Sequence, residues 1–111
     1  MNELIIFKEQ ELLGKEFKIY GDAENPLFLA KDVANWIEHN KPNELISKVD
    51  DDEKLKAIVT HSGQNREMWM LTEDGLYEVL MQSRKPIAKS FKKEVKCILK
   101  DIRKTGGSVA T

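Results

Sequence analysis

An apolar repeat of helical period in the last third of the chain constrains the fold most strongly. Pro86 suits the first position of a helix, and Gly106 suits a C-terminal cap. The repeat predicts a helix of about seventeen residues, some 25 Å long, with one face buried in a core. Its apolar members are Ile87, Phe91, Val95, Ile98, Leu99 and Ile102.

The same segment is strongly basic. Between Gln82 and Lys104 nine basic residues face only two acidic ones, Glu94 and Asp101, so the segment carries +7. Because the whole chain of 111 residues carries −1, the remainder must carry −8. Such asymmetry indicates a polyanionic or acidic partner. The basic residues are Arg84, Lys85, Lys89, Lys92, Lys93, Lys96, Lys100, Arg103 and Lys104.

Five of these cations recur every three or four residues and should line one side of the helix: Lys85, Lys89, Lys92, Lys96 and Lys100. A DNA backbone would meet a row of positive charges there, without any reading of base sequence. A solvated face, an acidic protein surface or the acidic part of a second copy are the alternatives. The candidate DNA contacts are Lys85, Lys89, Lys92, Lys93, Lys96, Lys100, Arg103 and Lys104.

The bulk composition limits the class of protein. A chain of 111 residues with 41% hydrophobic and 33% charged residues fits one folded domain. No apolar run reaches the roughly 18 residues of a membrane span, so we expect no membrane partner. The first residues lack the basic and small-residue features of a signal peptide. A single cysteine, Cys97, excludes an internal disulfide framework and favours a reducing compartment, by default the cytoplasm.

The first half of the chain predicts short strands followed by two helices. The strand signals are Leu4–Phe7, Phe17–Tyr20 and Pro26–Leu29. Apolar residues at helical spacing then predict a helix over Ala30–Glu38, and Pro42 begins a second one. Asp50–Glu53 should be a solvated loop. The expected buried residues of the two helices are Ala30, Val33, Ala34, Trp36, Ile37, Leu45, Ile46 and Val49.

The second half predicts a hairpin and two further helices. Ile58–Thr60 and Met68–Leu71 are strand-like and flank a polar loop over 61–67. Trp69 and the two methionines beside it should alternate between the faces of a strand and pack in the core or in a dimer; the alternative is a stacking platform for single-stranded nucleic acid. Thr72 can cap the next helix. The chain therefore predicts an α+β fold, with small antiparallel strands packed with about four helices, including a long C-terminal basic amphipathic helix.

The two helices before Val49, joined by a tight link, are similar to a helix-turn-helix. In that arrangement the start of the second helix would enter a DNA groove. The candidate contacts there are Lys41, Asn43, Ser47 and Lys48. Two ordinary packed helices are the simpler interpretation, and Glu44 together with the run Asp50–Glu53 would repel phosphate.

No catalytic or metal-binding pattern is visible, so we expect no enzyme activity, no cofactor and no metal. His39 and His61 have no histidine or cysteine at ligand spacing. Asp50–Glu53 lacks the alternation and the glycine of a calcium loop. Cys97 lies near the apolar stripe, where a buried structural thiol is the expectation.

Three blocks of sequence, PLFLAKDVANWI, LTEDGLYEVLMQSRKPIAKSFKKEV and ILKDIRKTGG, resemble the BRO-N domain. This is the N-terminal module of phage antirepressors and baculovirus Bro proteins. The resemblance implies a small α+β domain over residues 2–107 that is regarded as DNA-binding. Residues 108–111 would be a tail or the start of a linker to a missing C-terminal domain. Many members have a glycine soon after the first helix, whereas Ile37–Pro42 has none, so Asn40 is expected to take the left-handed turn.

The resemblance implies a DNA-binding regulatory module of a phage or prophage antirepressor, which controls phage gene expression in the cytoplasm of a bacterial host. The alternative is a protein-interaction module that captures a phage repressor protein or forms a homo-oligomer. The pI near 6.1 favours the alternative, because DNA-binding domains are usually basic. Salt dependence separates the two, since only phosphate contacts give a steep response.

Overall fold

The computed structural model describes residues 3–4, 6–61 and 63–104. These residues form the predicted α+β fold, a curved and mainly antiparallel sheet packed with four helices. The strands are β1 (Glu3–Leu4), β2 (Ile6–Leu12), β3 (Lys15–Gly21), β4 (Pro26–Leu29), β5 (Lys54–His61) and β6 (Gln64–Leu71). The helices are α1 (Ala30–Trp36), α2 (Pro42–Ser47), α3 (Glu73–Gln82) and α4 (Pro86–Lys104), with a 3-10 turn at Asp51–Glu53.

The sheet curls until its two ends approach each other. Its strand order is β1-β5-β6-β4-β3-β2, and all pairs are antiparallel except β1 with β5. Although β1 and β2 stand at opposite ends of this order, one residue separates them in the chain. Because consecutive Cα atoms lie about 3.8 Å apart, the two edges must come together there. The helices pack against one face of this curled sheet, which we call its outer face; the other is its inner face.

The two faces of the curled sheet bury different clusters. The inner face holds Tyr20, Leu29, Val59 and Met70, with Leu27, Ala57 and Met68 partly buried beside them. The outer face and the helices bury the larger core. The alternation of β6 is confirmed, because Met68 and Met70 join the inner cluster whereas Trp69 packs against the larger core.

Aromatic side chains tie α4 to the rest of the larger core. Trp36 and Phe91 are both fully buried, and their rings stack with centroids 5.2 Å apart and an interplanar angle of 7°. Phe17 approaches the other side of Trp36, with centroids 5.0 Å apart. The indole N–H of Trp36 donates to the carbonyl of Glu16 at 2.8 Å, which satisfies its one donor. The predicted burial of Trp36 and Phe91 is confirmed.

The start of α3 packs closely against the turn before β5. Thr72 caps the helix as predicted, because its hydroxyl accepts from the backbone N–H of Gly75 at 3.1 Å. The backbone N–H of Thr72 donates to the Glu53 carbonyl at 3.1 Å. A Cβ at position 75 would overlap that same carbonyl oxygen, so only glycine permits this approach. The loop predicted over Asp50–Glu53 is a 3-10 turn instead, closed by a capping box between Asp50 and Glu53.

Three local predictions were wrong. The left-handed residue after α1 is Glu38, with φ of 58°, rather than Asn40. The loop predicted over 61–67 is mostly strand, since His61 pairs with Gln64 and only two residues separate them. Gly63 supplies the positive φ of that turn, 77°. Cys97 is exposed rather than buried, because it lies on the side of α4 nearly opposite the buried residues. The predicted cap at Gly106 lies outside the described residues.

Candidate nucleic-acid interface

The cations of α4 occupy one continuous face of the helix. Its buried residues are Ala88, Phe91, Val95 and Leu99. At 3.6 residues per turn, all seven cations of α4 fall within an arc of about 120°, which runs from one edge of the buried face round to the side opposite it. The two acidic residues, Glu94 and Asp101, lie on one flank outside that arc. We call this surface the basic arc; it comprises Lys89, Lys92, Lys93, Lys96, Lys100, Arg103 and Lys104.

Within the basic arc, five lysines form a row along the helix. Lys89, Lys93, Lys96, Lys100 and Lys104 are all exposed and follow one another by three or four residues. Each step is therefore about 5–6 Å, and the row extends over about 22 Å. The predicted row has Lys85 and Lys92 in place of Lys93 and Lys104.

Lys85 and Lys92, two members of the predicted row, have different surroundings from the exposed lysines of α4. Lys85 precedes the helix, and its ammonium donates to the carbonyl of Glu38. Lys92 is half-buried at the edge of the arc nearest the core. The link from Lys85 fixes the start of α4 to the loop that follows α1.

Arg103 holds α4 in place, unlike the lysines of the row. Its guanidinium binds both carboxylate oxygens of Glu73, at 2.7 and 3.2 Å, and its Nε donates to the Ala23 carbonyl at 3.1 Å. The hydroxyl of Tyr77 donates to the same carboxylate at 3.1 Å. Hydrogen bonding to Arg103 is the main reason that the pKa of Glu73 is lowered below its ordinary value. This cluster joins α3 to the last turn of α4.

An open hollow of about 590 Å³ lies between α3 and α4 beside this cluster. The ammonium of Lys96 lies 5.6 Å from the ring centroid of Tyr77, within range of a cation–π interaction. Burial raises the pKa of the Tyr77 hydroxyl, with a further contribution from Glu73, so this group stays protonated at neutral pH. The hollow extends the basic arc inward and is lined by Glu73, Tyr77, Lys96, Leu99, Lys100, Arg103 and Lys104.

The second predicted DNA element, α2, is short and carries little unopposed charge. Its four candidates, Lys41, Asn43, Ser47 and Lys48, are all exposed. The ammonium of Lys41 lies 3.7 Å from a carboxylate oxygen of Glu44, and the hydroxyl of Ser47 donates to the Glu44 carbonyl at 2.8 Å. Glu44 thus opposes the positive charge at the start of this helix. Helix α1 packs against both α2 and α4, so the two candidate elements belong to one helical layer.

A comparison with known protein families shows which family this chain belongs to. Residues 16–101 match the family model described as BRO family, N-terminal domain. The chain belongs to the BRO family. The match begins in β3 and ends in α4, so it includes α2 and the lysines from Lys89 to Lys100, whereas Arg103 and Lys104 lie beyond it. Searches of the curated proteins and of the solved structures returned no significant match.

The BRO domain also exposes a polar surface that sequence reasoning missed, on the ribbon formed by β5 and β6. Gln64, Asn65 and Arg66 are exposed strand residues rather than loop residues. The hydroxyl of Thr60 donates to the side-chain oxygen of Asn65 at 2.8 Å, and Arg66 donates to the side-chain oxygen of Gln64 at 3.3 Å. Gly63 is typical of a tight hairpin turn. A two-residue turn at this position would have predicted longer strands on both sides of it.

Trp69 near the base of this ribbon is a packing residue. It is half-buried against the larger core, and the ammonium groups of Lys54 and Lys56 lie 5.7 and 5.1 Å from its ring centroid. Because the ring already contacts the core and two cations, the predicted packing role fits Trp69 better than a stacking platform for single-stranded bases.

Neither a metal cluster nor a membrane helix is found in the described part of the BRO domain. Among residues 3–4, 6–61 and 63–104, no three His, Cys, Asp or Glu side chains lie close enough together to hold a metal ion. No helix within those residues is long and apolar enough to cross a membrane.

Proposed function

We propose that this domain is a DNA-binding regulatory module of a phage or prophage antirepressor, without enzyme activity, that controls phage gene expression in the cytoplasm of a bacterial host. The observation that carries the proposal is the basic arc of α4, which contains seven cations and no acidic residue. Membership of the BRO family supports the same function. The arc contacts the DNA backbone.

The row of lysines suits phosphate rather than bases. Ammonium groups repeated every 5–6 Å or so over about 22 Å can each approach a different phosphate of the duplex. An ammonium is a compact charge on a flexible stem, so it neutralises phosphate without selecting one base over another. Contacts of this kind release condensed counterions and give salt-dependent affinity.

The support beneath α4 makes the row a fixed surface. Phe91 stacks on Trp36 in the core, and Arg103 binds Glu73 at the far end of the helix. Binding therefore orders lysine side chains without having to order a backbone as well. Since fixing a backbone residue costs roughly 1–2 kcal/mol, a preformed helix favours association.

A protein-interaction module is the second candidate, and the distribution of charge favours it. Outside Gln82–Lys104 the chain carries −8, and Asp50, Asp51 and Asp52 are exposed together at the 3-10 turn. These carboxylates could meet the basic arc of a second copy and form a homo-oligomer. The arc could equally bind an acidic surface of a phage repressor protein.

Titration of a labelled DNA duplex at several salt concentrations, followed by fluorescence anisotropy, tests the proposal. We expect binding that weakens with a log–log slope of about −3 or steeper, because each phosphate contact contributes about −0.9. Absence of binding even at low salt would overturn the DNA proposal. Sedimentation of the chain alone and pull-down with purified phage repressors would then test the second candidate.

A further inference from the structure

The β5–β6 ribbon extends beyond the rest of the sheet. Strand β1 pairs with β5 at Ile58 and Val59, and β4 pairs with β6 at Met70 and Leu71. Among the described residues, those closer to the turn pair only across the ribbon, Thr60 with Asn65 and His61 with Gln64. At about 3.4 Å per residue, the tip projects roughly 10 Å past the pairing of Val59 with Arg66.

The exposed side chains at this tip have the chemistry of base recognition. Gln64, Asn65 and Arg66 are consecutive and exposed. Asparagine and glutamine pair bidentately with adenine, and arginine pairs bidentately with guanine, in the major groove. Because side chains alternate along a strand, Gln64 and Arg66 share one face of the ribbon and Asn65 lies on the other.

Hydrogen bonds within the ribbon orient two of these groups. The side-chain oxygen of Asn65 accepts from Thr60 across the strands at 2.8 Å, and an amide oxygen has a second lone pair for another donor. Arg66 is held by Gln64 at 3.3 Å through one of its five N–H groups. Groups that are already oriented lose less side-chain entropy on binding.

We propose that the tip of the β5–β6 ribbon reads base sequence in the major groove of duplex DNA, an inference that rests on the proposed function. A two-stranded ribbon fits a major groove about 12 Å wide. Arg66 contacts guanine, and Asn65 or Gln64 contacts adenine. The ribbon differs in this respect from α2, where the carboxylate of Glu44 opposes Lys41 and its backbone carbonyl accepts a hydrogen bond from the Ser47 hydroxyl.

The distribution of charge assigns affinity for DNA and preference for sequence to separate elements. The exposed stretch from Gly63 to Glu67 has one cation and one acid, Arg66 and Glu67, so it adds little attraction to phosphate. The basic arc of α4 supplies affinity for any duplex, and the ribbon supplies preference among duplexes.

Selection from a randomised duplex library with the whole chain, followed by anisotropy, tests this division. Affinities are measured for the selected duplex and for a shuffled duplex of equal composition. For Arg66→Ala and Asn65→Ala we expect a loss of about 5- to 150-fold on the selected duplex, and less than about twofold on the shuffled one. Arg66→Lys keeps the charge but not the bidentate fork, so it should lose preference as Arg66→Ala does.

Matched variants in α2, Asn43→Ala and Lys48→Ala, keep the preference for the selected duplex if the ribbon reads it. Circular dichroism and thermal unfolding confirm that each exposed-residue variant folds. Unchanged preference in the ribbon variants, or its loss in the α2 variants, would overturn the ribbon proposal. Selection that yields no preferred sequence, although the chain binds DNA, would overturn it too. Failure to bind any duplex at low salt would instead overturn the proposed function itself.

Discussion

The basic arc of α4 and the tip of the β5–β6 ribbon differ in charge and in support. The arc contains seven cations on a helix whose buried face packs against Trp36 and the rest of the larger core. The ribbon tip contains directional hydrogen-bonding groups with almost no net charge, and among the residues that the structure describes it pairs only across its own two strands. Under the proposed function, this difference would assign attraction to DNA and selection among DNA sequences to separate parts of one small domain.

The two regions should differ most in how much a substitution in each lowers the free energy of unfolding. Phe91→Ala removes a fully buried ring that stacks on Trp36, so we expect a loss of about 3–5 kcal/mol in the free energy of unfolding. Thr60→Ala removes an exposed hydrogen bond in the ribbon and should cost about 1 kcal/mol or less. Urea denaturation followed by circular dichroism measures both. Equal losses would show that α4 is not the better supported element.

Charge reversal should show whether DNA contacts the basic arc or the helices α1 and α2. The triple substitution Lys89→Glu, Lys93→Glu and Lys96→Glu should abolish duplex binding while the domain stays folded, because these side chains are exposed on α4. Anisotropy at low salt measures the loss.

The matched control for this triple reverses three exposed lysines of α1 and α2: Lys31→Glu, Lys41→Glu and Lys48→Glu. Both triples change the net charge equally, so a general effect of charge would weaken binding to the same extent. Stronger loss in the control triple would place the phosphate contacts on α1 and α2 instead of α4.

One cation of the arc should behave differently from its neighbours. Since Arg103 lowers the pKa of Glu73, their interaction stabilises the fold above the ordinary carboxyl pKa of 4.5. It is lost as the pH falls through the lower folded pKa. Thermal midpoints between about pH 7 and pH 3 should therefore fall less steeply for Glu73→Gln than for the unchanged chain. An identical pH profile would show that the pair adds no stability.

Comparison of Arg103 with Lys100 distinguishes a cation of α4 that stabilises the fold from one that contacts phosphate. Arg103→Ala should lower the thermal midpoint and change the salt slope of DNA binding little, because its guanidinium already binds Glu73. Lys100→Ala should leave the midpoint unchanged and make the slope shallower by about 0.9. The reverse pattern would assign Arg103 to phosphate and Lys100 to the fold.

The smallest expected effect concerns Cys97, which is exposed on α4 beside the arc. A duplex bound along the arc should shield this thiol and slow its reaction with a maleimide about two- to fivefold, as steric cover of a nearby exposed group would. The reaction rate with and without duplex measures the shielding. An unchanged rate with bound DNA would indicate that the ribbon binds without α4.

Periodic features of the sequence predicted the buried half of the structure well. The apolar repeats placed Val33, Phe91 and Leu45 inside, because a helix must bury its apolar face wherever it packs. The arc of α4 also follows from spacing alone. Membership of the BRO family, first suggested by three blocks of sequence, is shown by the family match.

Features set by contacts between distant residues could not be predicted in this way. The bond from Arg103 to Glu73 joins positions thirty residues apart, so charge counting placed Arg103 with the free cations of the helix. The left-handed turn at Glu38 is fixed where the chain leaves α1, with the backbone N–H of His39 donating to Ala34. The ribbon was missed because polar residues in strands resemble a loop when composition is considered alone.

The meeting of β1 and β2 has a consequence for the order of folding. The β2–β3 and β5–β6 hairpins join residues close in sequence, whereas pairing of Glu3 with Ile58 closes a loop of about 55 residues. Contacts of such separation form slowly, because the chain loses entropy before the contact contributes stability. We therefore expect both hairpins to form early and β1 to dock last. The same strand should be the first to detach when the native protein is heated.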